Sequence, residues 1–285
     1  MSANSLLHTI AELRETVAAA RSQKQKIGLV PTMGALHEGH LSLARASQQA
    51  GCYTVTTIFV NPTQFAPGED FDRYPRTLQE DMEKLAACGA PAVFAPAVEE
   101  MYPRDCTTRV QPPQIASLLE GVCRPGHFEG VATVVLKLLL QADPDIAFFG
   151  EKDYQQLLVI RRMARDLNVP AEIRGCPTVR EADGLAMSSR NQYLSPSERQ
   201  QALAVSAALQ AARTSAKSGQ QDADALRATM RRVLQEAGIE RIDYVEIADP
   251  QTLQPLENVK GSARALIAAY VGQTRLIDNL SLECV

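Results

Sequence analysis

The sequence of 285 residues has no cysteine pair in CxxC spacing and no long apolar run. Its six cysteines are scattered, which argues against a zinc or disulfide framework and favours reduced thiols in a cytoplasmic protein. The apolar run from Val134 to Leu140 contains Lys137 and is far shorter than the roughly 20 residues of a membrane-spanning helix. Near the N-terminus, Glu12 and Glu15 interrupt the apolar residues, which predicts an amphipathic helix rather than a signal peptide. We therefore expect a cytoplasmic protein that does not insert into a membrane.

A basic excess is absent as well. The chain has 29 Lys and Arg residues against 33 Asp and Glu residues, and its formal net charge is -4 at pH 7. Proteins that neutralise the phosphates of a nucleic acid usually carry a basic excess or a basic face. The composition, 45% hydrophobic and 22% charged, is that of an ordinary globular protein. We therefore expect small-molecule ligands and no nucleic acid.

Short apolar segments alternate with helical patterns through the first two thirds of the chain. Strand-like segments begin at Ile27, Tyr53, Pro91, Asp145 and Ala171. The helices predicted between them are Leu41 to Ala50, Thr77 to Cys88, Phe128 to Ala142 and Tyr154 to Leu167. Strands rich in valine, isoleucine and phenylalanine that alternate with helices form right-handed βαβ units, with a parallel sheet covered on both faces. The pattern predicts a doubly wound, Rossmann-like α/β domain.

The pattern changes after about Pro177. Two alanine-rich helical segments, Pro196 to Lys217 and Ala223 to Gly238, are followed by the strand-like segments "IDYVEIADP" and "ARALIAAYVG". Because strand and helix no longer alternate one for one, this part is predicted to form a smaller α+β domain. The predicted domains are residues 1–176 and 177–285.

The segment "IGLVPTMGALHEGH" places a glycine-containing loop after a predicted strand, and the next helix is predicted to begin near Glu38 or Gly39. In open α/β sheets, ligands bind at the carboxyl ends of the strands, and a helix N-terminus offers backbone N–H groups to an anion. The pattern predicts a phosphate site beside His37 and His40. A zinc site is an alternative, but the spacing of the two histidines does not match HExxH. A plain helix start with polar residues also remains open at this point.

Two other phosphate-binding motifs are missing. The stretch "GALHEG" lacks the glycine spacing of the dinucleotide fingerprint GxGxxG, and a P-loop ending in GK[ST] does not occur. The imidazoles of His37 and His40 remain as groups that can donate hydrogen bonds to oxygens whose charge grows as pyrophosphate leaves. This chemistry indicates nucleotidyl transfer.

Six segments together carry a resemblance to a known family. They are "VPTMGALHEGHLSL", "IFVNPTQF", "YPRT", "RPGHFEGVATVV", "FGEKDYQQ" and "MSSRNQYLS". The stretch "HEGH" resembles the HxGH signature of the nucleotidyltransferase superfamily, and the six segments in this order resemble the pantothenate synthetases, which are pantoate–β-alanine ligases. The resemblance covers residues 30 to 195 and implies an AMP-forming acid–amine ligase. The alternative is a nucleotidyltransferase of the same superfamily that acts on another small acid or phosphate ester and has no amine step.

The resemblance implies a reaction in two steps, with ATP as co-substrate. The pantoate carboxylate attacks the α-phosphorus of ATP to form pantoyl adenylate, and the amine of β-alanine then displaces AMP. Because an anionic carboxylate approaches a polyanionic triphosphate, the site has to supply positive charge and Mg²⁺. The catalytic residues that the resemblance implies are His40, His37, Lys152 and Arg190. The ATP-binding residues that it implies are Met33, Gly34, Ala35, Leu36, His37, Glu38, Gly39, His40, Gly150, Glu151, Lys152, Asp153, Val179, Met187, Ser188, Ser189 and Arg190.

The same resemblance implies the residues that bind the other two substrates. Gln64, Gln156 and Asn61 are expected to bind pantoate. Their neutral amides can hydrogen-bond hydroxyl and carboxylate groups. They carry no permanent positive charge, which would lower the nucleophilicity of the pantoate carboxylate. Arg124 and His127 are expected to reach the pyrophosphate or to position the amine.

Acidic residues before and within the predicted Thr77 to Cys88 helix have two expected roles. The resemblance suggests that Mg²⁺ is contacted through water near "YPRTLQEDMEK", with Asp81 as the carboxylate. The run Glu69 to Asp72 is interpreted as a solvated loop near the entrance of the site. The resemblance also implies a homodimer, and a C-terminal domain that closes over the bound nucleotide.

Overall fold

The structure, a computed structural model, describes residues 4–283. The chain divides into two compact units. The first contains residues 4–116, 120–151 and 156–177, and the second contains residues 117–119, 152–155 and 178–283. The main boundary lies between Pro177 and Thr178, but two short segments that the sequence assigned to the first domain group with the second unit.

A parallel sheet of six strands forms the centre of the first unit. In chain order the strands are β1 (Ser5–Leu7), β2 (Lys26–Thr32), β3 (Cys52–Ile58), β4 (Ala92–Phe94), β5 (Ile146–Gly150) and β6 (Glu172–Cys176). They pair in the spatial order β1-β4-β3-β2-β5-β6, and every pairing is parallel. The chain thus runs from β2 outward to β4, then returns to β5 beside β2 and continues to β6. This confirms the predicted doubly wound α/β fold and places its topological switch point between β2 and β5.

Helices cover both faces of this sheet. The longer ones are α1 (Ile10–Ser22), α2 (Glu38–Gln49), α3 (Leu78–Ala87), α6 (His127–Ala142) and α7 (Tyr154–Asp166), and the short ones are α4 (Val98–Met101) and α5 (Glu120–Cys123). Leu13 of α1 and Val131 of α6 belong to the same buried apolar cluster as Leu29 of β2. The next residue of β2, Val30, packs instead with Leu43 of α2. Successive side chains of β2 therefore point to opposite faces, and each face is covered.

Close packing of α2 on the sheet depends on a glycine in β2. A Cβ atom built on Gly28 would lie 2.0 Å from Oγ of Ser47 and 2.9 Å from Cβ of Cys52. Only a residue without a side chain allows so close an approach. The helix that carries His40 in its first turn is therefore seated directly against β2.

The second unit has two helices and an antiparallel sheet. They are α8 (Pro196–Lys217), α9 (Ala223–Glu236), β7 (Ile242–Ala248), β8 (Ser262–Val271) and β9 (Thr274–Glu283), with strand order β7-β8-β9. The α8 helix begins after Ser195, which accepts the N–H of Glu198 in a capping box. Leu209, Leu226 and Ile267 lie in one buried apolar cluster between helices and sheet. This confirms the predicted smaller α+β part.

Most predicted elements match the observed ones within a few residues. The helix whose pattern starts at Leu41 begins at Glu38, as the glycine loop before it predicted, and the helix predicted from Pro196 to Lys217 has those bounds. The sequence did not reveal β1 or β9, because β1 has only three residues and β9 mixes apolar and polar residues irregularly. Among the helices of residues 4–283, none is both long enough and apolar enough to cross a membrane.

Candidate active site

The HxGH loop follows β2 and leads into the first turn of α2. His37 is the N-cap residue of α2, and its Nδ1 accepts a hydrogen bond from the backbone N–H of Gly39 at 3.1 Å. The backbone N–H of His37 donates to Nδ1 of His40 at 3.4 Å, and the two ring centroids are 4.1 Å apart. Because a backbone N–H can only donate, the proton of each neutral ring lies on Nε2. Nε2–H is therefore the hydrogen-bond donor of each imidazole.

A buried carboxylate from α3 holds this loop. Asp81 is 0% exposed. Its Oδ2 accepts the N–H of Ala35 at 2.9 Å, and its Oδ1 accepts the N–H of Leu36 at 2.7 Å. Gly34 and Ala35 have φ angles of 81° and 49°, in the left-handed region that an alanine rarely adopts. The hydrogen bonds of Asp81 thus stabilise a loop conformation that Ala35 by itself disfavours.

The position of Asp81 does not fit the magnesium role expected from the sequence. Its side chain is buried, and besides the loop amides Oδ2 also accepts the hydroxyl of Thr77 at 3.3 Å. A carboxylate that assists Mg²⁺ has to reach the ion or its water shell. Within residues 4–283, no three or more His, Cys, Asp or Glu side chains are grouped so that they could hold a metal ion. The described contacts of Asp81 make it an anchor of the HxGH loop.

Two of the amides expected to bind pantoate lie in the turn that follows β3. Asn61 and Gln64 are both buried, at 1% and 9% exposed. Nδ2 of Asn61 donates to Oε1 of Gln64 at 3.0 Å, and Nε2 of Gln64 donates to Sδ of Met33 at 3.3 Å. The last contact brings the turn after β3 against the HxGH loop. Gln156, in α7, is half-buried.

Gly130, in the first turn of α6, allows the helix to touch this turn. A Cβ atom on Gly130 would lie 2.3 Å from the carbonyl oxygen of Thr63. The carbonyl oxygen of Gly130 also accepts a hydrogen bond from Nδ2 of Asn61 at 3.2 Å. Sequence reasoning missed this role, although a glycine inside a helix is a recognisable signal, since it costs about 1 kcal/mol relative to alanine.

Arg124 and His127 face the protein interior. Arg124 donates to both carboxylate oxygens of Glu69 at 2.7 Å, and its Nη1 lies 3.1 Å from Nε2 of His127. Nδ1 of His127 lies 2.9 Å from the carbonyl oxygen of Gln64, so Nδ1 carries the proton and Nε2 accepts from Arg124. Burial, and then the charge of Arg124, lower the pKa of His127 to about 4. These contacts tie α6 to the turn that holds Gln64.

The interpretation of Glu69 as part of a solvated loop is wrong. The side chain of Glu69 is only 24% exposed, and that of its partner Arg124 is 13% exposed. Burial by itself would raise the pKa of Glu69, but the hydrogen bonds and charge of Arg124 lower it overall. The expected contact of Arg124 and His127 with substrate stays a prediction, whereas their contacts with Glu69 and Gln64 are structural.

Lys152 and the serine–arginine loop, Ser188 to Arg190, belong to the second unit. Lys152, Ser188, Asn191 and Asp278 are among the residues that line one small cavity there. The backbone carbonyl of Lys152 accepts a hydrogen bond from Nδ2 of Asn279, in β9, at 2.8 Å. The cavity brings Lys152 and Ser188 together, although they are far apart in the sequence.

A buried ion pair holds the hairpin that leads into the serine–arginine loop. The backbone N–H of Met187 donates to the carbonyl of Val179 at 3.0 Å, which closes the hairpin. Arg180 donates to both oxygens of Asp278 at 2.6 Å and 2.9 Å, and the Asp278 side chain is 3% exposed. Ser188 caps the turn Ser189–Tyr193 by accepting the N–H of Arg190 at 3.3 Å. Nothing in the sequence pattern identified Arg180 or Asp278.

The fold and the site define the class of protein. The loops after β2, β3 and β5 begin at one edge of the sheet, because these strands are parallel neighbours. They carry the HxGH residues, the buried amides and, from Gly150, the "GEKD" segment. Ligands bind at this edge in doubly wound α/β proteins. The chain is thus an α/β protein of the doubly wound class with an HxGH loop at its ligand-binding edge.

Comparison with known proteins identifies the family. The sequence model of the pantoate-beta-alanine ligase family matches residues 5–281. The pantothenate synthetase of Moorella thermoacetica is 55% identical over 278 residues, which make up 98% of this chain and 98% of that protein. The chain belongs to the pantoate-beta-alanine ligase family, and its activity is the ligation of pantoate and β-alanine.

Solved structures support the same assignment. A crystal structure of pantothenate synthetase from Thermus thermophilus matches with a TM-score of 0.92 and 47% identity, over 96% of this chain and 98% of that one. The pantoate-beta-alanine ligase of Francisella tularensis, in a crystal structure complexed with beta-gamma ATP and beta-alanine, matches with a TM-score of 0.80 and 35% identity. That match covers 98% of this chain and 97% of the other.

Asp81→Asn tests the anchor role. The substitution keeps the size of the side chain but turns one acceptor oxygen into an NH₂ group that faces a backbone N–H. We expect the free energy of unfolding to fall by about 1–3 kcal/mol, as for a buried group left without its partner. Product formation should also fall, and added Mg²⁺ should not restore it. Glu80→Gln, at an exposed neighbouring position, is the matched control. Recovery of activity at high Mg²⁺ would indicate a metal contact instead.

The pKa of His127 predicts how stability depends on pH. The folded protein holds this pKa near 4, below the ordinary 6.5, so the unfolded chain binds the proton first as pH falls. Stability should therefore decrease from pH 6.5 to pH 4, by up to about 3 kcal/mol from this residue. His127→Gln, which can still donate and accept, should show a shallower decrease in urea unfolding over this range. His8→Gln, at an exposed histidine, is the control, and equal slopes in all three proteins would contradict the prediction.

Proposed function

We propose that the chain carries out its ligation in two steps, with ATP forming a pantoyl adenylate and the amine of β-alanine then displacing AMP. The observation that carries the proposal is the hydrogen bond from Gln64 to Met33. This hydrogen bond joins Gln64, whose amide is suited to a hydroxy acid, to the HxGH loop, which is suited to a triphosphate. The two segments follow the neighbouring strands β3 and β2. The relative from Francisella tularensis, complexed with beta-gamma ATP and beta-alanine, supports the choice of ligands.

In the first step, His37 and His40 are proposed to stabilise the negative charge that develops on the phosphate oxygens. Each imidazole has its donor on Nε2, since its Nδ1 accepts a backbone N–H. Donors that are already oriented stabilise a charged transition state without reorganising. The N-terminus of α2 adds the positive end of the helix dipole at the same place. We assign His40 and His37 to the phosphate oxygens, with His40 as the proton donor or charge stabiliser.

The first step also needs positive charge, because a carboxylate attacks a polyanion. We assign Lys152 to the triphosphate and the attacking carboxylate, and Arg190 with Ser188 and Ser189 to the β and γ phosphates. Lys152 and Ser188 line the same small cavity of the second unit, which supports a joint role for the "GEKD" segment and the serine–arginine loop. The remaining ATP contacts that we propose come from Met33, Gly34, Ala35, Leu36, Glu38, Gly39, Gly150, Glu151, Asp153, Val179 and Met187.

Pantoate is assigned to the amides. Gln64 and Gln156 are proposed to hydrogen-bond its hydroxyl and carboxylate groups, while the buried Asn61 orients Gln64. Such a site should reject acids that lack the hydroxyl group, because the amide would then be left without a partner. Arg124 and His127, which contact the backbone of Gln64, are proposed to reach the pyrophosphate or to position the amine.

Magnesium is proposed to arrive on the triphosphate of ATP. Mg²⁺ keeps several waters and is often held by one or two carboxylates plus substrate phosphates, so it needs no dedicated protein cage. The buried and hydrogen-bonded Asp81 does not suit the contact through water that the sequence suggested. The role of the protein is then to bind the nucleotide complex and not to hold the ion in advance.

An assay of products tests the mechanism. With ATP, pantoate and β-alanine, the protein should release AMP and pyrophosphate in equal amounts, and ADP would contradict an adenylate. His40→Ala should slow adenylate formation by about 10²–10³ while changing the Kd for ATP much less, because its donor acts mainly in the transition state. His8→Ala, the same change at an exposed position, should leave both quantities unaltered.

We also propose a cytoplasmic homodimer, on the basis of the family resemblance and the scattered cysteines. The chain has a mass of 31.0 kDa. Sedimentation equilibrium should therefore give about twice this mass at micromolar concentration, and a single chain mass would contradict the dimer. Fractionation of cells that express the untagged chain should recover it with cytoplasmic markers.

A further inference from the structure

A series of side-chain hydrogen bonds runs through the turn after β3 toward the HxGH loop. The hydroxyl of Tyr102 donates to Oδ1 of Asn61 at 2.9 Å. Nδ2 of Asn61 donates to Oε1 of Gln64 at 3.0 Å, and Nε2 of Gln64 donates to Sδ of Met33 at 3.3 Å. In each of these hydrogen bonds the residue nearer Tyr102 donates and the residue nearer Met33 accepts. The orientation of one group therefore constrains the next.

Backbone groups decide which way the Asn61 amide faces. Its Nδ2 lies 3.2 Å from the carbonyl oxygen of Gly130, which can only accept. Its Oδ1 lies 3.4 Å from the backbone N–H of Thr63, which can only donate. A flipped amide would place oxygen against oxygen and N–H against N–H, and would lose both contacts. Asn61, at 1% exposed, therefore presents its NH₂ group to Gln64.

The orientation of Asn61 sets that of Gln64. Because Asn61 donates, the atom of Gln64 that faces it must be the acceptor Oε1, and the NH₂ group of Gln64 faces Met33. A thioether sulfur is a weak acceptor, so an oxygen of a bound molecule can replace it at little cost. Gln64 thus offers a donor that is already oriented, which reduces the entropy lost when a substrate binds.

We infer that Tyr102 is a positioning residue for the acid substrate: its hydroxyl holds Asn61, and Asn61 turns the NH₂ group of Gln64 toward a pantoate oxygen. The inference rests on the proposed function, because it takes Gln64 as a pantoate ligand. Tyr102 itself is assigned no contact with the substrate.

The surroundings of Tyr102 allow its hydroxyl to be tested alone. Burial raises the pKa of this hydroxyl, so it stays protonated and keeps donating. The cationic groups of Arg109 and Lys137 lie 5.9 Å and 5.6 Å from the ring centroid. These contacts use the ring and remain in Tyr102→Phe. The hydroxyl of Thr63 also lies 3.0 Å from Oδ1 of Asn61, so loss of the Tyr102 hydroxyl should weaken the arrangement without abolishing it.

The kinetic experiment compares the unaltered protein with Tyr102→Phe and with Tyr53→Phe. Tyr53 packs against the apolar core of the first unit and provides the same chemical change outside the series. AMP release is measured with pantoate varied at saturating ATP, and with ATP varied at saturating pantoate. Tyr102→Phe should raise the KM for pantoate about fivefold, as expected for one neutral hydrogen bond, and leave the KM for ATP unaltered. Tyr53→Phe should change neither KM.

An unaltered KM for pantoate, or equal rises in the KM for pantoate and for ATP, would overturn the inference. A second measurement does not depend on the substrate. In ¹H–¹⁵N spectra of the substrate-free protein, the side-chain amide protons of Asn61 should exchange with water about fivefold faster in Tyr102→Phe than in the unaltered protein. If the unaltered protein releases ADP instead of AMP, the proposed function fails, and this exchange rate decides the orienting role of Tyr102. Equal exchange rates would then overturn it.

Discussion

The parallel pairing of β3, β2 and β5 is the constraint on which the site depends. These strands are neighbours in the sheet, so the loops at their carboxyl ends begin side by side although β5 comes more than eighty residues after β3. The chain leaves β2 in one direction and returns to β5 on the other side, which opens the crevice where this class of fold binds ligands. The HxGH loop and the turn with Gln64 therefore lie side by side because the strands before them are neighbours in the sheet.

Buried polar groups then hold each loop in one conformation. Asp81 binds two backbone N–H groups of the HxGH loop, Asn61 orients Gln64, and the ion pair of Arg180 with Asp278 holds the hairpin before the serine–arginine loop. A buried polar group without a partner is costly, so each of these groups strongly favours the one arrangement that satisfies it. A site that handles highly charged molecules gains from such rigidity, because its donors need not reorganise during the reaction.

Several of the residues proposed to act in the site could be predicted because their signals are local. His37 and His40 stand within one short motif, and Lys152 and Arg190 stand within others, so their chemistry is visible before any fold is known. Asp81 shows the opposite case. Its position near "YPRT" suggested a metal contact, but its partner Leu36 lies 45 residues away in the chain. Only the folded chain shows that the loop, and not an ion, occupies its oxygens.

By itself, the sequence determined the class of fold, the two-part organisation and the motifs that carry charge and hydrogen-bond donors. The fold class and the two-part organisation follow from hydrophobic periodicity, and the motifs consist of residues that are close in the chain. Both signals are local, so they can be recognised before the chain folds. The tertiary structure decided which buried side chain holds which loop. Tyr102 shows why, since it lies 41 residues from Asn61, in a segment with no motif. The direction of its hydrogen bond exists only once α6, the turn after β3 and the end of α4 are packed together.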